Sequence, residues 1–271
     1  MTQAWDDISV AACAVLETAK ASEKATVART VAAQWRSGEL SFAFTQTPPE
    51  RPERSSSPQL LPPSEMPRRR KGGNEANRRA LLHAVAHIEL NAIDLAFDIV
   101  ARFGKMMPRS FTDDWIGVGD DEARHFSMLN GRLKAHQSYY GEFPAHDGLW
   151  QSAMDTSGNL AARLAVVPMV LEARGLDVTP AMIKQFKNTG DTVSAEVLQT
   201  IYDDEIGHVA VGSRWFKFLA NKLDKETDVW FRQLVSKYFH GHLKPPFTTG
   251  ARTQAGLPAD FYEPLASDGK S

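Results

Sequence analysis

The feature of this sequence that most restricts its fold is an internal repeat of acidic residues and histidines. The stretch Asp120-Asp121-Glu122-x-x-His125 returns 83 positions later as Asp203-Asp204-Glu205-x-x-His208. One further glutamate stands 33 residues before each copy, with Glu89 preceding Glu122 and Glu172 preceding Glu205. Because a charged pattern that recurs at one fixed offset indicates a repeated structural unit, we expect the fold to contain the same unit twice.

Each of these ionisable residues falls on an apolar helix face. Glu89 stands in the middle of a stripe with steps of three and four residues, formed by Leu82, Ala86, Ile93, Ala96 and Val100. Glu122 with His125 and Glu205 with His208 occupy stripes of the same kind, and Glu172 follows Ala165 and Met169. Such stripes mark the core-facing side of a helix. The sequence therefore predicts an all-α protein that buries its ionisable repeat.

Helix-forming residues dominate from Asn74 to about His240, and strand signals are scarce. We predict helices over residues 75–102, 112–137, 158–175, 191–221 and 226–239, with a short extra helix over 180–188 opened by Thr179-Pro180. Pro168 is expected to kink or begin the third of these helices. His83 and His87 lie four residues apart, away from the Glu89 face, and are predicted to be ordinary helix residues.

The buried repeat predicts a centre of two metal ions. Carboxylates that are buried close together need compensation, because even one isolated buried charge is costly. Four glutamates and two neutral histidines match two divalent cations, and a Glu-x-x-His pair presents both side chains on one helix face. This is the ligand pattern of dimetal four-helix bundles. The predicted metal ligands are Glu89, Glu122, His125, Glu172, Glu205 and His208.

Two aspartates are predicted to support these ligands. Asp121 and Asp204 each directly precede a ligand glutamate, where each is expected to accept the outer ring N–H of the histidine on the opposite helix. That hydrogen bond would fix the tautomer of the imidazole. Each lone glutamate is also followed five residues later by an aspartate, Asp94 or Asp177, which extends the repeat.

The ligand set resembles that of the ferritin-like superfamily, and its Asp-Glu-x-x-His form is similar to that of bacterial multicomponent monooxygenases and ribonucleotide reductase small subunits. The surrounding sequence resembles a bacterial family of ferritin-like proteins catalogued as a domain of unknown function, from about residue 45 to the tail. The segments that carry this resemblance are His83-Ala-Val-Ala-His87-Ile-Glu89-Leu and Met66-Pro-Arg-Arg-Arg70. The resemblance implies a ferritin-like four-helix bundle with a dinuclear iron or manganese site and no established reaction. Simple ferritins lack a second Glu-x-x-His, so iron storage is not implied.

Four segments are expected along the chain. Residues 1–46 form an N-terminal helical segment with a break at Ser22 and a stop at Gly38, and residues 47–73 form a proline-rich arm that ends in the basic run Arg68–Lys71. Residues 74–243 form the four-helix bundle, and residues 244–271 form an irregular but packed tail.

Composition excludes several classes of protein. The net charge of −2 gives no support for a nucleic-acid partner, and no apolar run is long enough to span a membrane. The N-terminus lacks the pattern of a secretory signal, so we expect a cytoplasmic protein. Cys13 is the single cysteine, which excludes an internal disulfide and a four-thiolate metal site.

Four functions are compatible with the predicted centre. The first is a di-iron oxidoreductase that activates dioxygen or peroxide on an unknown small substrate, supplied with electrons by a separate donor. The second is a metal-binding or peroxide-consuming protective protein without an organic substrate. The third is a tRNA-hydroxylase-like enzyme, with Arg68–Lys71, Arg78 and Arg79 as phosphate contacts. The fourth is an interaction module that the metals hold together. Iron and manganese both fit the ligands.

Overall fold

The protein is built from α-helices. A computed structural model describes residues 5–66 and 74–266, and no β-strand occurs among them. The basic run Arg68–Lys71 lies outside these residues. The helices are α1 (Ile8–Leu16), α2 (Ala21–Ser37), α3 (Glu75–Phe103), α4 (Arg109–Ala135), α5 (Gly148–Asp155), α6 (Leu160–Val166), α7 (Ala173–Asn188), α8 (Thr192–Lys222), α9 (Thr227–Tyr238), α10 (Thr249–Gln254) and α11 (Ala259–Tyr262). Three short 3-10 turns cover Pro63–Glu65, Gly104–Met106 and Glu263–Leu265.

The predicted spans of α3, α4, α8 and α9 agree with the structure to within three residues at each end. Polar caps account for two of the helix starts. The side chain of Asn74 accepts a hydrogen bond from the backbone N–H of Asn77 at 2.9 Å, and Asp191 accepts one from Ser194 at 3.0 Å. Both caps satisfy backbone donors that the first turn of a helix leaves without partners.

The third predicted helix and the short helix after it are wrong as separate elements. The chain stays helical from α6 through a π-helical segment, Val167–Glu172, into α7. Pro180 lies inside α7 and does not open a helix. Leu176 and Ile183 are buried on either side of Pro180, so packing keeps the helix continuous even though proline removes one backbone hydrogen bond.

The break between the first two helices lies at residues 17–20, and the prediction of Ser22 was wrong. Backbone hydrogen bonds from the arm account for the position of this break. The backbone N–H of Glu53 donates to Leu16 O at 2.8 Å, and that of Ser55 donates to Ala19 O at 3.0 Å. These bonds satisfy carbonyls that a continuous helix would have paired internally. The predicted stop at Gly38 is confirmed, because this residue ends α2 in the left-handed conformation.

The chain divides into two compact units, Met1–Trp150 and Gln151–Ser271. In the first unit α3 packs against α4, while α1 packs against α3 and α2 packs against α4. In the second unit α7 packs against α8, and α6 packs against α8 and α9. The predicted organisation in four segments, with a bundle over 74–243, stays a prediction. Within the described ranges, every helix is too short or too polar to cross a lipid bilayer.

Side-chain contacts tie the N-terminal helices and the arm to the ligand-bearing pair in the first unit. Trp35 Nε1 donates to Asp113 at 2.9 Å, and Arg36 Nη2 donates to Asp120 at 2.8 Å, so α2 is fixed to α4. The arm runs beside Ala145, whose backbone N–H donates to Gln59 O at 2.9 Å. The N-terminal segment is therefore part of the first compact unit.

The described part of the tail of the second unit, up to residue 266, contains the short helices α10 and α11. Leu257, Phe261 and Tyr262 are buried. Ser213 Oγ on α8 donates to Gly256 O at 2.7 Å. The tail thus contributes directly to the core of its unit.

A close approach between helices fixes the π-helical segment at its start. A β-carbon placed on Gly212 of α8 would lie 2.5 Å from Cβ and Cγ of Pro168. That separation is far inside van der Waals contact, and the proline ring cannot rotate away. Gly212 is therefore required where Pro168 approaches α8.

We expect Gly212→Ala to lower the free energy of unfolding by about 1–3 kcal/mol, because the new methyl group overpacks the Pro168 contact. Gly207→Ala on the same helix is the matched control, since a β-carbon there meets nothing within 4 Å. The control should raise stability by up to about 1 kcal/mol, the usual gain of alanine over glycine in a helix. Urea unfolding of both variants checks this, and equal effects would contradict the role assigned to Gly212.

Candidate metal centre

Two helices of the first unit carry three ionisable side chains into its interior. Glu89 on α3 is 5% exposed, and Glu122 and His125 on α4 are 1% and 0% exposed. The apolar stripe predicted around Glu89 is buried throughout, as are Trp115, Val118 and Leu129 on α4. The helical periodicity of the sequence therefore placed these three side chains on the correct faces.

The three side chains converge on one point. His125 Nδ1 lies 3.1 Å from Glu89 Oε2 and 3.4 Å from Glu122 Oε2. One potential ligand atom from each residue lies within 4.8 Å of the others. Because Glu122 and His125 are three residues apart on α4, one helix face presents both, and the packing of α3 against α4 brings Glu89 to them.

Burial and the close spacing of the three side chains shift the pKa values of the cluster. Burial raises the pKa of Glu89 well above its usual range, and the charge of Glu122 raises it further. Burial alone disfavours the charged form of His125, yet the hydrogen bonds and charges of Glu122 and Glu89 outweigh that effect and raise its pKa to about 10. The cluster therefore attracts positive charge strongly, whether from protons or from a cation.

The donor set fits a first-row divalent metal ion. Two carboxylates and one neutral imidazole carry a formal charge of −2, which a single divalent cation balances. Carboxylate oxygens and imidazole nitrogens suit iron and manganese, whereas a soft-metal site would use thiolates. The nitrogen that faces the carboxylates is Nδ1, so His125 would bind through Nδ1 and leave Nε2 outward.

The second unit presents the other three predicted ligands. Glu205 Oε2 and His208 Nδ1 lie 3.5 Å apart on α8. Glu172 is the last residue of the π-helical segment, and Gly175 follows it by three residues on the same helix face. A β-carbon placed on Gly175 would lie 3.7 Å from Cγ of Glu205. The turn that follows Glu172 therefore passes directly beside the side chain of Glu205.

The supporting role expected of Asp121 and Asp204 stays a prediction. Asp121 is partly exposed and accepts a hydrogen bond from Arg124 Nη2 at 2.8 Å. The same guanidinium nitrogen lies 3.5 Å from Nε2 of His125, the outward ring nitrogen. Asp121 thus shares its arginine partner with the ring of the histidine in its own motif.

His83 and His87 belong to a buried polar network that sequence reasoning missed. His87 Nδ1 lies 2.8 Å from Tyr140 Oη, and its Nε2 lies 3.2 Å from the carbonyl of His146. A carbonyl only accepts, so Nε2 carries the proton and Nδ1 accepts from the tyrosine. His83 Nε2 accepts from the backbone N–H of Gly141 at 2.9 Å. Both histidines hold the loop after α4 against α3, which is a structural role.

Comparisons with known proteins give a family. The family described as "Protein of unknown function (DUF455)" matches residues 17–263. A relative from Haemophilus influenzae, named as an uncharacterized protein, is 39% identical over 206 residues, which cover 74% of this chain and 71% of the relative. No solved structure matches the chain. The resemblance to a family of unknown function is therefore confirmed.

We expect acid to destabilise the protein through His87. Burial, followed by the charge of Arg54, lowers the pKa of His87 from its usual value of 6.5 to about 3. Below about pH 6.5 the unfolded chain therefore binds a proton that the folded chain rejects, and stability falls by up to about 1.4 kcal/mol per pH unit. Urea unfolding at pH 7.5 and 5.5 should show a drop in the wild type that is about 1 kcal/mol larger than in His87→Asn. Equal drops would contradict this assignment.

Proposed function

The chain belongs to the family described as "Protein of unknown function (DUF455)", and from its own residues we propose that it is a metal-dependent oxidoreductase of the ferritin-like type. In this proposal a dinuclear centre, with iron as its metal, activates dioxygen or peroxide on a small organic substrate. The ligands are Glu89, Glu122, His125, Glu172, Glu205 and His208. Manganese is the alternative metal.

The observation that carries the proposal is the convergence of Glu89, Glu122 and His125 inside the first unit. The core between packed helices rarely holds two carboxylates and an imidazole within hydrogen-bond distance unless a cation or a proton compensates their negative charge. The same residue types recur 83 positions later, and Glu205 and His208 again lie side by side. A repeated cluster supports a pair of metal ions better than it supports two unrelated ion pairs.

The chain's own residues have defined roles in this proposal. Glu89 and Glu122 neutralise the cation, and His125 supplies a nitrogen ligand through Nδ1. The apolar walls of α3 and α4 exclude bulk water, which strengthens each of these electrostatic interactions. A pair of bound iron ions would supply redox chemistry that amino-acid side chains lack. That the six ligands meet in one centre is an expectation from the sequence repeat.

Metal content is the first test. Full-length protein, stripped with a chelator and loaded anaerobically with Fe(II), should hold about two metal ions per chain. Glu122→Gln should reduce this to about one or fewer, because it removes a charged ligand from the buried cluster. Glu196→Gln is the control, since Glu196 is an exposed glutamate on α8. Elemental analysis measures all three proteins. Less than about half a metal ion per wild-type chain would overturn the proposal.

Reaction with oxygen is the second test. The Fe(II)-loaded wild type should consume dioxygen and gain the near-ultraviolet absorption of ferric iron. Glu122→Gln should react at least about tenfold more slowly, because the loss of one ligand weakens the hold on the metal. Oxygen uptake and stopped-flow absorption follow the reaction, again with Glu196→Gln as control. A wild type that holds two irons and does not react with dioxygen or peroxide would contradict an oxidoreductase.

A further inference from the structure

The two aspartates that follow the lone glutamates are explained by neither the metal ligands nor the apolar core. Asp94 and Asp177 are also 83 positions apart, and both are almost completely buried. Five residues along an α-helix correspond to a rotation of about 140°, so each aspartate lies on the far side of its helix from the preceding glutamate. Buried carboxylates on the far side require partners of their own.

Asp177 is held by the tail of the second unit. Arg252 of α10 binds it through two nitrogens, with Nε donating at 3.0 Å and Nη2 at 2.6 Å, and the backbone N–H of Thr248 donates at 2.8 Å. The side chain of Arg252 is 3% exposed, and its guanidinium lies over the rings of Phe247 and Tyr262. A buried pair with two parallel hydrogen bonds fixes both orientation and distance.

The same guanidinium also contacts the backbone directly after Glu172. Arg252 Nη2 donates to the carbonyl of Ala173 at 3.2 Å. Ala173 is the first residue of α7, and Asp177 lies one turn further on. One arginine therefore fixes both ends of the turn that begins immediately after the predicted ligand.

This turn follows an unusual backbone. π-helical segments are rare, and they persist where surrounding contacts hold them and often where function needs a side chain redirected. The segment Val167–Glu172 is held at its start by the contact between Pro168 and Gly212. Arg252 holds the turn that follows its last residue. The direction of Glu172 thus depends on contacts at both ends of the segment.

The first unit contains an equivalent buried ion pair, formed by other residues. Asp94 on α3 accepts hydrogen bonds from Lys24 of α2 and from Arg54 Nη2 of the arm, the latter at 2.8 Å. Lys24 is almost wholly buried, so this pair is also removed from water. In each unit a segment outside the ligand-bearing pair supplies a cation to the far side of the lone-glutamate helix. The recurrence indicates a role that is tied to the glutamates.

We propose that Asp177 and Arg252 are positioning residues that hold Glu172 in the orientation required of a metal ligand, an inference that rests on the proposed metal centre. The ion pair does not touch the metal. It fixes the first turn of α7, and through that turn it fixes the end of the π-helical segment.

The test is a double-mutant cycle on metal affinity. Mn(II) is titrated into metal-free, full-length protein, and free Mn(II) is followed by electron paramagnetic resonance. Arg252→Lys keeps the charge but loses the two-nitrogen contact, and it should weaken one of the metal sites at least about tenfold. In a Glu172→Gln background the same change should weaken Mn(II) binding no further, because the ligand that Arg252 positions is already missing.

Arg232→Lys is the matched control. Arg232 also anchors the tail, through Nη1 to Asp260 O at 2.5 Å, but it does so on α9 and away from α7. It should leave Mn(II) affinity unchanged even if it lowers the melting temperature. If Arg252→Lys does not fold, Asp177→Asn takes its place in the cycle, since asparagine keeps the shape and one acceptor oxygen.

The outcomes separate the two proposals. A wild type that binds no Mn(II) and no Fe(II) overturns the metal centre itself. A wild type that binds two ions, with Arg252→Lys binding equally well, overturns the positioning role alone. An additional loss of affinity in the Glu172→Gln background also overturns it, because the effect would not pass through Glu172.

Discussion

The structure depends on the burial of carboxylates inside a helical core. Glu89 and Glu122 stand beside His125 with almost no access to water, where an uncompensated charge would destabilise the fold. The apolar stripes of α3 and α4 force these residues inward, because turning them to solvent would expose the stripes as well. The packing of the helices therefore creates a cluster whose negative charge needs compensation, which bound protons or a cation can supply.

Segments that flank the ligand-bearing helices carry the positive charges that pair with Asp94 and Asp177. Lys24 and Arg54 reach Asp94 from the N-terminal side, and Arg252 reaches Asp177 from the tail. In each compact unit, one helix of a packed pair thus carries a glutamate on one side and a buried aspartate on the other. A flanking segment supplies the cation that binds the aspartate. The flanking segments, which the sequence analysis placed outside the predicted bundle, form part of the structure that supports the candidate ligands.

Local patterns predicted local structure well. The spans of α3, α4, α8 and α9 followed from apolar periodicity and polar caps, and the meeting of Glu122 with His125 followed from their spacing on one helix face. Pro180 and Ser22 misled because each is a common boundary signal that tertiary contacts overrode. The packed residues Leu176 and Ile183 carry the helix through Pro180, and the arm takes up the carbonyls of Leu16 and Ala19 before Ser22 is reached.

The sequence by itself determined the all-α class, the repeat and the identity of the residues that could bind a metal, because helical periodicity and residue chemistry are both encoded locally. Only the tertiary structure decided that Glu89 meets His125, that the backbone before Glu172 is π-helical, and that Arg252 is the partner of Asp177. Those features depend on which distant surfaces pack together. A contact such as that of Pro168 with Gly212 is set by the shapes of two helices, which neither segment specifies alone.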